Sequence, residues 1–173
     1  MSYKKLFIFL LILSLIFTFT GFLGKLLPTT PSITPPEETE GTLYLEPANL
    51  TLTPSQDFTV ELKATSITNL KGYSVTLSYD PALISLQEVT EGPFFSSKGK
   101  TFFYSKEDNG TILIDCALLG PELSVSGEGT LATLFFTCLK AGSTSVEFSL
   151  AKTRDTLNKE IVTTKRNTKL KSK

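Results

Sequence analysis

The chain has no histidine, no tryptophan, one methionine and two cysteines among 173 residues. Without histidine it lacks the side chain most used to move protons near neutral pH and the commonest metal ligand. No CxxC, HExxH or glycine-rich phosphate loop occurs, and nothing in the spacing brings two carboxylates together across a cleft. Cys116 and Cys138 have no histidine with which to form a nucleophilic pair. No catalytic residue, metal site or cofactor is expected. Glu107-Asp108-Asn109-Gly110, an acidic cluster at a glycine turn, lacks the alternating carboxylates of a calcium loop and is explained by a hairpin. The missing tryptophan also weighs against a flat sugar-binding strip. Phe94, Phe95, Phe102, Phe103 and Tyr104 are an alternative aromatic source, but a small sandwich needs most such rings in its core.

Lysine plus arginine balance aspartate plus glutamate at 17 each, but unevenly along the chain. Residues 42–162 carry 14 acidic and 9 basic side chains, whereas 163–173 carry five basic and no acidic ones. Lys4 and Lys5 precede a nearly unbroken apolar run of 18 residues, Leu6 to Leu23, long enough to cross a bilayer core. Residues 1–27 are therefore expected to target a membrane. The absence of small residues at a cleavage site favours a retained anchor over a cleaved signal, and either exports the rest of the chain. Residues 28–41, with four prolines, read as an extended linker. Residues 163–173 have no apolar periodicity and are expected to be a disordered basic tail.

Between them lies an all-β pattern. Tyr73, Val75, Leu77 and Tyr79 alternate with Ser74, Thr76 and Ser78, so one face of this strand is apolar and the other carries small hydroxyls. It stops at Asp80-Pro81, where Asp80 is placed to cap the amides of Ala82 and Leu83, and Leu83, Ile84 and Leu86 open a partner strand. Phe58, Val60, Leu62 and Ala64 alternate in the strand before. Thr101–Glu107 and Thr111–Leu118 form a hairpin about Asn109-Gly110. A two-residue loop there turns Phe103 inward, and a three-residue loop with a bulge turns Phe102 and Tyr104 inward. Leu131–Leu139, Val146–Leu150 and a weaker strand near Glu160–Val162 complete eight or nine strands, suited to a two-sheet sandwich. Both cysteines fall on the apolar parity of their strands, which favours two buried thiols over a disulfide. Asn49-Leu50-Thr51 and Asn109-Gly110-Thr111 match the glycosylation acceptor pattern.

The alternating strand into Tyr79-Asp80-Pro81, the leucine-rich return, the run Gly129 to Phe136 and Asp155-Thr156 before Ile161 together resemble the cohesin domain family over residues 42–162. The resemblance implies a nine-stranded jelly-roll β-sandwich and a non-catalytic module that binds dockerins. Dockerins fold around calcium loops, so the complex would be calcium-dependent through its partner. In the family the binding sheet comprises the third, fifth, sixth and eighth strands. The positions carried over are Ser74, Thr76 and Ser78 on the third, Leu113 and Asp115 on the sixth, and Thr133, Phe135 and Thr137 assigned to the eighth. Ser74 stands where studied cohesins offer Asn or Asp, which departs from standard dockerin specificity. The family topology also separates the two cysteine strands by an intervening strand, too far for a bridge. Leu113 and Phe135 would be apolar anchors on a hydroxyl-rich face. The expectation is thus an exported, membrane-tethered module with a protein partner and no nucleic-acid partner. A carbohydrate-binding sandwich that takes polysaccharide, or a structural envelope domain, is the alternative.

Overall fold

The computed structural model describes residues 40–173. In chain order they form β1 (Glu40–Glu46), β2 (Asn49–Leu52), β3 (Asp57–Leu70), β4 (Gly72–Ser78), β5 (Ile84–Glu91), the one-turn helix α1 (Pro93–Ser96), β6 (Thr101–Asp108), β7 (Thr111–Leu118), β8 (Val125–Cys138), β9 (Gly142–Arg154), β10 (Val162–Arg166) and β11 (Thr168–Ser172). Two sheets result, one in the order β10-β1-β3-β8-β5 and one in the order β2-β11-β9-β4-β7-β6. The all-β sandwich expected from the alternation is present. The expected membrane segment and nearly all of the expected linker lie outside the described residues. The last two linker positions, Glu40 and Gly41, open β1. Among the described residues no helix is long and apolar enough to cross a membrane.

The strand count is eleven rather than nine, for two reasons. Pro47 has no N–H for a ladder, and there the first strand leaves one sheet and continues as β2 in the other. The basic C-terminus is the second reason. It forms β10, parallel to β1, and β11, between β2 and β9. The disordered tail expected over 163–173 is thus corrected. Thr168 and Leu170 point inward and are buried while Lys169 and Lys171 point to water, an alternation too short to stand out among so many lysines.

Alternation fixed the core well. Phe58, Val60, Leu62, Ala64, Tyr73, Val75, Leu77, Ile112, Ile114, Leu134 and Phe136 are all buried between the sheets. Phe58 stacks on Phe136 with centroids 5.4 Å apart, and Tyr79 meets the same ring edge-on. The Tyr73 hydroxyl crosses the core to donate to the Leu131 carbonyl at 3.0 Å. Cys116 and Cys138 are free and buried. They lie in opposite sheets, on β7 and β8, rather than one strand apart in a single sheet.

The Asp80-Pro81 corner also differs from the expectation. The Asp80 carboxylate accepts from the Ala82 amide at 2.9 Å, but the Leu83 amide donates to the Asp80 carbonyl. The return strand β5 does not pair with β4. It crosses to the other sheet and pairs with β8.

Candidate functional site

The outer face of the six-stranded sheet is set by four strands, β9, β4, β7 and β6, whose registers align their outward side chains in rows. Arg154, Gly72, Ala117 and Phe102 form one row. Lys152, Ser74, Asp115 and Tyr104 form the next, and Leu150, Thr76, Leu113 and Lys106 the third. The two middle strands thus present mainly small groups, and the flanking strands long or bulky ones. Three strand spacings separate the flanks, about 14 Å. The surface is a shallow trough, wide enough for an element the diameter of a helix.

Local features explain why these side chains face out. Asp108 pairs with Thr111 across a two-residue turn in which Asn109 has φ 46° and Gly110 φ 85°, the all-positive geometry of a tight hairpin. A Cβ on Gly110 would come within 2.6 Å of the Tyr79 carbonyl, so glycine is required there. Glu107 completes the turn, accepting from the Gly110 amide at 2.9 Å and the Tyr79 hydroxyl at 3.0 Å. This two-residue loop settles the hairpin register. Phe103 packs against the core, and Phe102 and Tyr104 stand out at 55% and 44% exposure. On β9 the register shifts between the Thr76 and Leu77 pairs, leaving Ser149 as the extra residue. That bulge inverts the parity, so Phe148 packs inward while Leu150, Lys152 and Arg154 face out.

Five of the eight expected site residues share this face: Ser74, Thr76, Ser78, Leu113 and Asp115. Thr133, Phe135 and Thr137 do not. They lie on β8, which pairs with β3 and β5, and so on the outside of the opposite sheet. Alternation had correctly set Phe135 outward, at 36% exposure, but the strand beside β4 is β9. The eighth-strand assignment is corrected accordingly. Phe102, Tyr104, Leu150, Lys152 and Arg154 stand on the outer face where those three residues were expected. Tyr104 and Phe102 were legible only as one of two hairpin registers. The β9 residues were hidden by the bulge.

The two outer faces differ in how their charges and apolar groups are grouped. On the five-stranded sheet, Lys63 pairs with Glu46 at 2.7 Å and Glu61 at 3.5 Å, and this raises the Lys63 pKa above its ordinary value, Glu46 contributing most. Arg166 lies over the Tyr44 ring at 4.8 Å, and Thr42 bonds Thr164. On the six-stranded sheet, Lys106, Asp115 and Lys152 make no ion pair or side-chain hydrogen bond among the described residues, and three large apolar side chains, Phe102, Tyr104 and Leu150, stand exposed around them. Apolar groups and unpaired charges together mark an unfinished surface. A hollow of about 570 Å³ opens at its Gly72–Ala117 end, lined by Ser74, Phe102, Asp115, Lys152 and Arg154 among others. No group of three or more metal-ligating side chains occurs among the described residues.

The cohesin domain family model matches residues 48–170. No curated protein matches the chain. Solved structures that share the fold include the non-cellulosomal cohesin from the hyperthermophilic archaeon Archaeoglobus fulgidus, at 16% identity and TM-score 0.67, covering 78% of this chain and 91% of that one. A type II cohesin domain from the cellulosome of Acetivibrio cellulolyticus aligns at 15% identity and TM-score 0.68, covering 76% and 95% of the two chains. A Clostridium thermocellum structure described as a novel type I cohesin–dockerin complex aligns at 12% identity and TM-score 0.65, covering 78% and 92%.

Proposed function

Since the chain belongs to the cohesin domain family, whose members are non-catalytic protein-binding modules, we propose that it captures a dockerin-like protein on the outer face of β9, β4, β7 and β6. The observation that carries the choice of face is the clustering of apolar groups with unpaired charges. On the five-stranded sheet Lys63 and Arg166 are engaged and Phe135 stands beside a single unpaired carboxylate, Glu88, whereas the six-stranded sheet sets Lys106, Asp115 and Lys152, unpaired among the described residues, beside exposed Phe102, Tyr104 and Leu150. A partner helix laid in the trough would cover those apolar groups. Ser74, Thr76 and Ser78 supply a flat floor with hydroxyls for its polar edge.

The module acts without chemistry of its own, as the absence of histidine suggests. Its expected export rests on the apolar run Leu6–Leu23, which would hold it at a membrane surface. Cell fractionation with N-terminal sequencing tests that part: a soluble form beginning near residues 20–25 would mean release.

The main reading is tested by affinity capture from the source cells with the whole chain as bait, beside a Phe102→Asp/Leu150→Asp bait and a Phe135→Asp bait. The expected prey carries a dockerin-type calcium-loop module, is retained by Phe135→Asp, is lost from the double variant and is released by a chelator. Capture that persists with the double variant, or that fails with Phe135→Asp, would refute the face.

Phe102 and Tyr104, exposed two residues apart on the edge strand β6, favour one second reading, a carbohydrate ligand stacked on the two rings. Retardation of the protein in a polysaccharide-containing native gel, abolished by Tyr104→Ala, would favour it over a protein partner.

A further inference from the structure

The hollow at the Gly72–Ala117 end has charges of opposite sign on its two sides. Lys152 stands on the β9 side with no ion pair among the described residues, and Arg154 beside it donates to the Asn158 carbonyl at 3.2 Å and lies 3.9 Å from Glu160. Asp115 stands on the β7 side, next to the exposed rings of Phe102 and Tyr104. Two further charges line the hollow but are engaged elsewhere. Lys71 donates to the Gly120 carbonyl, and Asp155 accepts from the amides of Leu157 and Lys159.

Lys152 and Asp115 belong to one row, with Ser74 between them. Two strand spacings, about 10 Å, separate their backbones, and no ion pair joins the two side chains. The floor between them is Gly72, Ser74 and Ala117. A Cβ on Gly72 would sit 3.2 Å from the Cys116 carbonyl, so the floor is nearly as low as a backbone permits.

We infer that this end of the face is a two-seat recognition site for a partner segment carrying an acidic and a basic residue whose backbone positions lie about 10 Å apart, the carboxylate on Lys152 and Arg154, the cation on Asp115 beside the Phe102 and Tyr104 rings. It rests on the reading of this face as the partner-binding surface, and specifies the partner's chemistry. Residues seven apart on a helix lie on one side and about 10.5 Å apart along the axis, so an acidic and a basic residue at that spacing, with small residues between, fit a helix crossing the strands. A polysaccharide bearing only acidic groups would leave Asp115 unmatched, which is why a protein segment is favoured.

The test uses two small probes and needs no knowledge of the partner. Benzoate and benzamidine are titrated separately into the ¹⁵N-labelled whole chain in micelles, with amide shifts followed. Benzoate is expected to perturb the β9 side around Lys152, and benzamidine the β7–β6 side around Asp115. Lys152→Glu/Arg154→Glu should weaken benzoate about fivefold or more and spare benzamidine, and Asp115→Asn should do the reverse. Both probes perturbing the same residues, neither perturbing the face, or either being indifferent to its substitution overturns the two-seat assignment. So does stronger perturbation of these residues by polygalacturonate, or by raising the protein's own concentration, since the occupant is then a polysaccharide or a second copy. None of these failures touches the capture experiment, which depends on Phe102 and Leu150 and tests the face independently.

Discussion

Replacing Leu170 by alanine separates a structural C-terminus from a disordered one. Leu170 is 3% exposed, pairs with Leu50 on one side and Thr144 on the other, and belongs to the common core. The substitution removes about three carbons' worth of burial, roughly 2.4 kcal/mol at ~0.8 kcal/mol per methylene, and a cavity penalty brings the expected loss to about 3 kcal/mol. For a domain of this size that corresponds to a fall in Tm of about 10 °C. Removing residues 167–173 should cost more, because Thr168 is also buried and its hydroxyl donates to the Pro47 carbonyl at 2.7 Å, worth about 1 kcal/mol. Urea titration and thermal melts by circular dichroism measure both. Lys171→Ala, one residue along and exposed, is the control and should stay within about 0.5 kcal/mol of the parent. If Leu170→Ala melts like the control, β11 does not close the six-stranded sheet and the reasoning fails.

Phe102→Ala should weaken capture of the partner by about 2 kcal/mol, since 55% of a ring that size leaves roughly 110 Å² to be covered, an upper bound of about 2.8 kcal/mol at ~25 cal/mol per Å² that the alanine Cβ and imperfect covering reduce, while Phe135→Asp should leave affinity unchanged; titration calorimetry with the captured protein decides both. Cys116, pushed up to about 12 first by burial and then by the Glu91 carboxylate, should resist iodoacetamide at pH 8 in the native protein and react readily in guanidinium, and rapid native labelling would show that β7 is not held against the core. Burial and the bond to Glu107 raise Tyr79 from 10.0 to about 12, so the protonated phenol favours the folded state. Its stabilising contribution is complete below pH 10 and is lost between pH 10 and 12. Tyr79→Phe should flatten that part of the Tm-against-pH curve, and an unchanged slope would refute it.

Most of the core could be read in the sequence because strand parity is a local property. The alternation of Tyr73, Val75 and Leu77 with Ser74, Thr76 and Ser78 needs no knowledge of any other strand, and the same holds for Ile112, Ile114 and Cys116. Sheet membership is not local. It is decided by which edge a strand meets after each corner, and one corner misled. Asp80-Pro81 looked like a turn between paired strands but carries the chain across the sandwich, while the four residues Asn49–Leu52 beyond Pro47, too short to show a strand's alternation, join the other sheet. A single extra residue, Ser149, then reversed the parity of β9, so that Leu150, Lys152 and Arg154 faced out where simple alternation from Phe148 would have turned Leu150 inward.

The displacement of the site follows from the same distinction. Phe135 has the right parity, the right size and two threonine neighbours at two-residue spacing, and it remains the exposed apolar residue that the alternation of β8 demands. Across the strands of its own sheet, however, lie Thr59 on β3 and Glu88 on β5, and that sheet's outward charges at Lys63 and Arg166 are already matched within it. On the other side of the sandwich the exposed rings of β6 and Leu150 of β9 flank a floor of glycine, serine and alanine, with Lys152 and Asp115 unpaired among the described residues. Covering Phe135 removes one ring from water but also dehydrates Glu88, the unpaired carboxylate beside it, so the gain is small. Apolar walls around unpaired charges gain from both the area removed from water and the ion pairs completed there. Placing the partner on β9, β4, β7 and β6 rests on that difference.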